Sequence, residues 1–417
     1  MGIPGIANKH HYQFFTLPNG VRVVHRPIRT NVAHVGVFIN AGTRDELEHE
    51  NGLSHFIEHT LFKGTKKRRA YHILSRLEDV GGEINAYTSK EETCLYTTIL
   101  YEHYERAIEL MADITFNSTF PEKEIEKEKA VIMDEINSYN DSPAEKIYED
   151  FESMVFGSHP LGQSILGTPE HLKTFNARHI KKFINRNYLP SEIVISSVGK
   201  MDARVLHELV EKNFSTIKAK AEKIERKKFK SYKPTERTEH KQTHQSHCMI
   251  GGIAYHASHK HKTALILLNN ILGGPCMNSR LNMTVREKHG LAYNIESSYA
   301  SYSDTGIASI YLGTEKNSFE KTLSLVMLEL KKLRSTLLGT AQLKKAKQQL
   351  IGQISIAAES NHNLMQTMGK SMLLFDRIDS LEKVYKEIEK VSAKELMEVS
   401  RDIYDERKLS VLTYESK

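Results

Sequence analysis

The stretch LSHFIEHTLF, residues 53–62, has the period of an amphipathic helix and carries two histidines four positions apart. Because an α-helix turns once every 3.6 residues, His55 and His59 lie one above the other on one face. Two imidazoles at this spacing can chelate one Zn²⁺ ion. An apolar stripe remains for packing against a core: Leu53, Phe56, Ile57 and Leu61. The histidines are therefore not needed for packing, and we interpret them as metal ligands.

The same helix and a second one supply candidate carboxylates. Glu58 lies beside His55 and is close enough to take a proton from a water at the metal, so we predict that it is the catalytic base. A catalytic zinc ion needs a third protein ligand and an open position. The acidic run after Pro121 offers Glu128 and Glu135, two helical turns or roughly 10 Å apart on one face. Only one of the two glutamates can bind the metal, and the other can hydrogen-bond a ligand imidazole. The plainer alternative is that the acidic run is simply the solvent-exposed charged face of a helix.

Strand-like and helix-like patterns alternate along the chain without a strict βαβ order. The patterns predict strands at 21–24, 31–40, 82–87 and 93–100, and helices at 53–62, 71–80, 102–116 and 121–139. Such a mixture is typical of an α+β fold in which mainly antiparallel sheets pack against helices.

The order of elements repeats in the second half of the chain. Residues 130–136 align with 348–354, and residues 55–59 align with 265–269, at offsets of 218 and 210. We therefore predict two homologous domains, 1–215 and 245–417, joined by a basic linker at 216–244. The second copy has Leu, Asn and Gln where the first has His and Glu, so we expect one zinc ion per chain and no metal site in the C-terminal domain. The alternative for the linker is a binding patch for an acidic partner.

Composition excludes several classes of protein. The 417 residues are 39% hydrophobic and 26% charged, with a net charge of +6. No run of about 18 apolar residues occurs, which predicts no membrane-spanning helix. The excess lysines are scattered along helices, so we expect no nucleic-acid binding. Three distant cysteines and an N-terminus without a basic region and an apolar region favour a reducing, cytoplasmic location.

The motif HxxEH followed by a distant glutamate resembles the pitrilysin/insulinase family of inverted zinc metallopeptidases. In that family the third ligand lies about 76 residues after the second histidine, and 135 − 59 is 76. The resemblance implies that Glu135 binds the metal and that Glu128 hydrogen-bonds a ligand. Four further segments resemble family signatures in order and spacing: Gly42–Glu46, Gly81–Tyr87, Leu272–Gly274 and Arg286–Tyr293.

The resemblance also implies how substrate is bound. Gly82, Asn85 and Ala86 belong to an exposed edge strand to which a peptide adds as a further strand. Arg286 and Tyr293 reach from the second domain to the substrate carbonyl. The chain resembles the short-chain type of the family, the mitochondrial processing peptidase beta subunit and its bacterial homologues. This resemblance implies a homodimer that closes a chamber around short or unfolded peptides.

Three alternatives remain open at this point. A presequence-type processing peptidase would have the same zinc site but cut defined N-terminal segments. A non-catalytic scaffold or partner subunit would have lost motif residues, and all five residues of the metal constellation are present here: His55, Glu58, His59, Glu128 and Glu135. The native metal could also be Mn²⁺ or Co²⁺.

Overall fold

The computed structural model describes residues 7–9, 11–218 and 224–417. The N-terminal residues 1–6 and part of the predicted linker, 219–223, lie outside the described residues. The strands are β1 Ala7–Lys9, β2 Tyr12–Thr16, β3 Arg22–Pro27, β4 Val32–Ile39, β5 Glu83–Thr88, β6 Thr93–Leu100, β7 Ile193–Gly199, β8 Glu236–Lys241, β9 Ser246–Ala254, β10 Ala292–Ser301, β11 Gly306–Thr314 and β12 Ser410–Ser416.

The helices account for most of the remaining chain. They are α1 Leu53–Thr60, α2 Ala70–Glu78, α3 Tyr104–Phe116, α4 Glu122–Asn140, α5 Pro143–Phe156, α6 Pro169–Thr174, α7 Ala177–Asn187, α8 Ala203–Phe214, α9 Lys262–Gly273, α10 Phe319–Ser335, α11 Thr340–Ala358, α12 Asn361–Phe375, α13 Leu381–Lys390 and α14 Ala393–Ile403. The strands and helices predicted from the sequence all occur, with ends that differ by at most three residues.

The described chain forms two compact units, each built on one sheet. The first sheet has the order β1-β2-β3-β7-β4-β6-β5 and the second β10-β11-β9-β12-β8. If β3 to β7 are matched with β8 to β12 in chain order, the five strands have identical neighbours in both sheets. One pair in each is parallel, β3 with β7 and β8 with β12; the other pairs are antiparallel. The predicted fold class of two homologous α+β domains is confirmed.

The two units exchange one helix, which the sequence did not predict. The first unit comprises Met1–Ile136, Gln163–Arg226 and Ile356–Ile378, and the second comprises Asn137–Gly162, Lys227–Ser355 and Asp379–Lys417. Helix α12 therefore lies in the first unit although it follows most of the second in sequence, and α5 lies in the second unit. Helix α5 follows the 19-residue helix α4, and α12 follows the 19-residue helix α11. The two exchanged helices are therefore equivalent, and the exchange is reciprocal.

Each exchanged helix covers one face of a sheet. In the first unit Met365, Met368 and Met372 of α12 pack against Phe38 and Val194. Residue 369 is Gly because a Cβ there would lie 2.1 Å from Phe38 Cε2. In the second unit Ile147, Phe151 and Val155 of α5 pack against the strands through Met249, Leu412 and Tyr414. The opposite faces carry the two larger cores, so each sheet is apolar on both sides.

No helix within the described residues combines the length and the apolar character needed to cross a bilayer. The basic segment after residue 223 leads into β8, which is the edge strand of the second sheet.

Candidate active site

Helix α1 is held at its start by a glycine and a carboxylate. Gly52 has φ of +90°, and a Cβ on it would lie 2.6 Å from Gly167 Cα, so both its conformation and its surroundings require glycine. Glu46 accepts hydrogen bonds from the N–H groups of Gly52 (2.9 Å) and Ser54 (2.7 Å). The side-chain oxygens of Glu46 at this end satisfy N–H groups that have no partner within the helix. The predicted stripe of Leu53, Phe56, Ile57 and Leu61 is fully buried.

Helix α4 brings a carboxylate to the two histidines. Glu135 Oε2 lies 3.7 Å from His55 Nε2 and 3.6 Å from His59 Nε2. The three ligand atoms all lie within 4.8 Å of one another, and no other such group of three occurs among the described residues. The ligands predicted from the sequence therefore converge in the first unit.

The donor set fits a zinc ion. Zn²⁺ binds imidazole nitrogen and carboxylate oxygen at about 2.0–2.2 Å, so tetrahedral donors are roughly 3.3 Å apart. The two separations between Glu135 and the histidine nitrogens, 3.7 and 3.6 Å, exceed this by only a few tenths of an ångström. Burial and the neighbouring His59 lower the pKa of His55 to about 4, which keeps its imidazole in the neutral form that a metal ligand requires.

Glu128 contacts the second ring nitrogen of His59, Nδ1. Its Oε2 lies 3.3 Å from His59 Nδ1, and its Oε1 forms a 2.7 Å ion pair with Lys63. A carboxylate that accepts the Nδ1 proton fixes the imidazole tautomer and leaves Nε2 facing the metal position. His55 has no equivalent group, because its buried Nδ1 lacks a hydrogen-bond partner among the described residues.

Glu58 is a candidate base with a perturbed pKa. Burial raises the pKa of Glu58, and the Glu135 charge adds to this effect, while Thr88 and His59 oppose it. A carboxyl group with a raised pKa binds a proton more readily than an exposed one. The position of Glu58 next to a ligand histidine, together with this shift, is suited to acid–base chemistry.

Strand β5 forms one edge of the first sheet and is paired only with β6 within the described residues. Ala86 N–H is bonded to the Asn85 side-chain oxygen at 2.8 Å and so points away from β6. In an antiparallel pair, a residue whose N–H points outward also presents its C=O outward. Gly82 precedes the strand, and its N–H donates to Leu77 O (2.9 Å), so it closes the turn after α2.

A cavity of about 300 Å³ lies between this edge and the metal ligands. Phe62, Leu74 and Ile84 supply its apolar wall. Its remaining lining residues are Glu58, His59, Lys63, Ala70, Asn85, Ala86 and Glu128. Neither this cavity nor the part played by Lys63 could be predicted from the sequence, because the lining residues come from separate segments. The local signal for Lys63 was a lysine four positions after His59.

Arg286 and Tyr293 lie in the second unit. Arg286 is in a π-helical segment, Asn282–Glu287, and Tyr293 is on β10 with 81% of its surface exposed. The Arg286 guanidinium carbon lies 5.7 Å from the Tyr293 ring centroid. Gly290, with φ of +62°, lies between the end of this segment and the start of β10. Their predicted role toward substrate stays a prediction.

Comparison of the sequence with models of known protein families identifies the family of this chain. The sequence model described as Insulinase (Peptidase family M16) matches residues 22–169, and the model described as Peptidase M16 inactive domain matches residues 174–350. The chain belongs to peptidase family M16. The first match contains the HxxEH motif and Glu135, and the second contains Arg286 and Tyr293. The predicted family is thereby confirmed.

Members of the M16 family from several bacteria are similar over nearly the whole chain. An uncharacterized zinc protease of Bacillus subtilis, YmxG, is 36% identical over 94% of this chain and 95% of its own length. An uncharacterized zinc protease of Mycobacterium leprae, ML0855, is 30% identical over 94% of this chain and 89% of its own length. Homologues that are named zinc proteases support a peptidase function.

Two solved structures share the M16 fold. A protease from Helicobacter pylori superposes with a TM-score of 0.89 at 23% identity, covering 98% of this chain and all of that one. A protein from Pseudomonas fluorescens, described as a peptidase M16 inactive domain, has a TM-score of 0.90 at 19% identity, covering 97% of this chain and 98% of that one. At these identities the likeness concerns the fold.

Proposed function

We propose that this chain is a zinc metalloendopeptidase that hydrolyses short or unfolded peptides. The observation that carries the proposal is the convergence of His55, His59 and Glu135 within 4.8 Å, with Glu58 on the same helix as the two histidines. A zinc site with three protein ligands leaves the fourth coordination position open. This is typical of catalytic sites, because structural zinc sites have four protein ligands.

The residues divide the chemistry between them. A zinc ion bound here would polarise the scissile carbonyl and lower the pKa of the attacking water to about 7. Glu58 takes the proton of that water and delivers it to the leaving nitrogen. Glu128 and Lys63 keep His59 oriented throughout, because the Glu128 carboxylate is held at both oxygens.

Strand β5 would bind the peptide backbone. The outward N–H of Ala86 can pair with an extended substrate once the Asn85 side chain is displaced, and main-chain pairing of this kind is independent of sequence. The apolar wall of Phe62, Leu74 and Ile84 favours a hydrophobic side chain in the cavity beside the metal position. We therefore infer that cleavage occurs next to large apolar residues.

A peptide library tests the activity and the preference together. The purified protein, with and without a chelator, is incubated with mixed peptides, and the cuts are mapped by mass spectrometry. We expect chelator-sensitive cleavage with apolar residues enriched at one position next to the cut. Cleavage that survives the chelator would refute the proposal, and cuts limited to defined N-terminal segments would indicate a processing role.

The substitution Ala86→Pro tests strand addition. Proline removes the outward N–H, and the sheet loses no bond because that N–H does not face β6. We expect kcat/KM for peptides to fall at least tenfold while zinc content is unchanged. Gly352→Ala in the second unit, where an added Cβ has nothing within 4 Å, is the control and should remain within threefold of wild type.

Further features of the proposal concern Arg286, Tyr293 and assembly. We place Arg286 and Tyr293 at the substrate carbonyl and suggest a homodimer that encloses the peptide, as the family resemblance implies. Arg286→Ala and Tyr293→Phe should lower kcat with zinc retained. Equal cleavage rates for a stable folded protein and its unfolded form would exclude the closed chamber, and a monomer in sedimentation analysis would exclude the dimer.

A further inference from the structure

The side chain of Arg226 is mostly withdrawn from solvent although the residue lies in the polar stretch predicted to be a linker. Its side chain is 11% exposed, while Glu225 and Lys227 on either side are exposed. Arginine is almost never buried unless it is paired, so the environment of this guanidinium group needs an explanation that a simple spacer does not provide.

The guanidinium group of Arg226 joins three segments of the first unit. Its Nε and Nη2 donate to the two oxygens of Asp45 at 2.8 Å each, a bidentate fork. Nη2 also donates to the backbone oxygens of Glu91 (2.7 Å) and Asn40 (3.3 Å). Asn40 follows β4, Asp45 belongs to the loop before α1, and Glu91 belongs to the turn between β5 and β6.

Two of these segments carry the candidate active site. The loop with Asp45 continues into Glu46, whose side-chain oxygens accept hydrogen bonds from the N–H groups of Gly52 and Ser54 at the start of α1. The proposed ligand His55 directly follows Ser54. The turn with Glu91 leads back into the edge strand β5, and Arg44 Nη1 crosses to Glu91 Oε1 at 2.6 Å. Arg226 thus ties the metal-bearing helix to the peptide-binding strand.

We propose that Arg226 is a positioning residue that sets α1 and β5 in the register needed for metal and substrate binding. This inference rests on the proposed function, because it assigns Arg226 to the same site. Arg226 acts through Asp45 and the two backbone oxygens and does not touch the metal or the substrate. Lysine cannot replace it fully, since a single ammonium group lacks the fork that reaches four acceptors.

Zinc affinity of the full chain tests the role. The variants are Arg226→Gln and Arg226→Lys, and affinity is measured by competition with a chromophoric chelator at a temperature where each is folded. Loss of a group that orients metal ligands typically costs about 10–100-fold in affinity. We expect that range for Arg226→Gln and a smaller loss for Arg226→Lys, which leaves Asp45 paired with a positive charge.

Arg68→Gln is the matched control. Arg68 is 16% exposed and also bonds carboxylates in the same unit, Glu109 (2.7 Å) and Asp113 (2.7 Å), but it bonds neither the loop before α1 nor the β5–β6 turn. Its loss should lower thermal stability and leave zinc affinity within twofold of wild type. Amide hydrogen exchange of α1 in the metal-free protein gives a second readout, and we expect faster exchange in Arg226→Gln but not in Arg68→Gln.

The outcomes separate this inference from the proposed function. If wild type binds zinc and cleaves peptides but both Arg226 variants retain its zinc affinity and exchange rates, only the positioning role is refuted. The same holds if Arg68→Gln loses as much zinc affinity as Arg226→Gln. If wild type binds no zinc, both proposals fail. Should Arg226→Gln not fold, Arg226→Lys decides the question alone.

Discussion

Replacing Glu128 with glutamine tests how the metal centre is oriented. The substitution keeps the shape of the side chain and removes its negative charge. In the folded protein that charge faces His59 Nδ1 at 3.3 Å and the Lys63 ammonium group at 2.7 Å. The two donors lie at different oxygens of Glu128. In the amide one of these oxygens becomes an NH₂ group, which cannot accept a hydrogen bond, so one of the two donors loses its partner. We expect His59 to lose its fixed tautomer and orientation.

The size of the effect follows from the bond that is lost. A hydrogen bond to a charged group contributes about 1.5–3 kcal/mol, and every 1.4 kcal/mol is about tenfold in affinity. The side chains of His59 and Lys63 are 24% and 29% exposed, so water compensates for part of the loss. We therefore predict the lower part of the range, a zinc affinity about 10–30-fold weaker than that of wild type.

The assay is competition for zinc with a chromophoric chelator, at constant pH and ionic strength. Glu124→Gln is the control, because Glu124 lies on the same helix and undergoes the same change in charge, but its ion pair is with the exposed Lys127 at 2.8 Å and not with a candidate metal ligand. Its zinc affinity should stay within twofold of wild type. Glu135→Gln, which removes a ligand, should lose stoichiometric zinc.

Two results would refute this reasoning. If Glu128→Gln binds zinc as tightly as wild type, the Glu128 carboxylate does not orient His59. If Glu128→Gln loses the metal while Glu135→Gln retains one equivalent, the two glutamates have the opposite roles, and α4 must be placed differently against α1.

Three further predictions concern catalysis and stability. Glu58→Gln should keep its zinc and lose about 10²–10⁴-fold in turnover; a variant within threefold of wild type would contradict a base. Burial raises the pKa of Glu46 from its ordinary value of 4.5 to about 8. The stabilisation that protonated Glu46 contributes to the folded state is therefore complete below about pH 4.5 and is lost as the pH rises through 8. Between pH 6 and 9 the urea midpoint should therefore fall more for wild type than for Glu46→Gln. Gly369→Ala, which drives a Cβ into Phe38, should cost about 1–3 kcal/mol of unfolding free energy; Gly352→Ala, with open space around it, should cost nothing.

Local features of the site could be predicted from the sequence. The spacing of His55 and His59 determines that they share a helix face, because backbone hydrogen bonds set the 3.6-residue period. The apolar stripe of α1 and the edge position of β5 likewise agree with the structure. The repeat was visible too: both alignments made from the sequence fall in equivalent helices, α4 with α11 and α1 with α9.

The sequence alone left the roles of Glu128 and Glu135 open, since both lie on one face of α4. Only the crossing of α4 over α1 places Glu135 at the two Nε2 atoms and Glu128 at Nδ1 of His59. The family resemblance had assigned the same roles by analogy, but the tertiary contacts supply the physical reason for them.

What the sequence determined by itself is everything that depends on neighbours within a few turns of chain: the helix and its two histidines, the acidic helix, the edge strand and the duplicated order of elements. The tertiary structure decided which distant segments meet. The exchange of α5 and α12, the apolar cavity and the burial of Arg226 among Asn40, Asp45 and Glu91 join residues that are tens to hundreds of positions apart. Such contacts depend on how whole sheets and helices pack, and no local period encodes them.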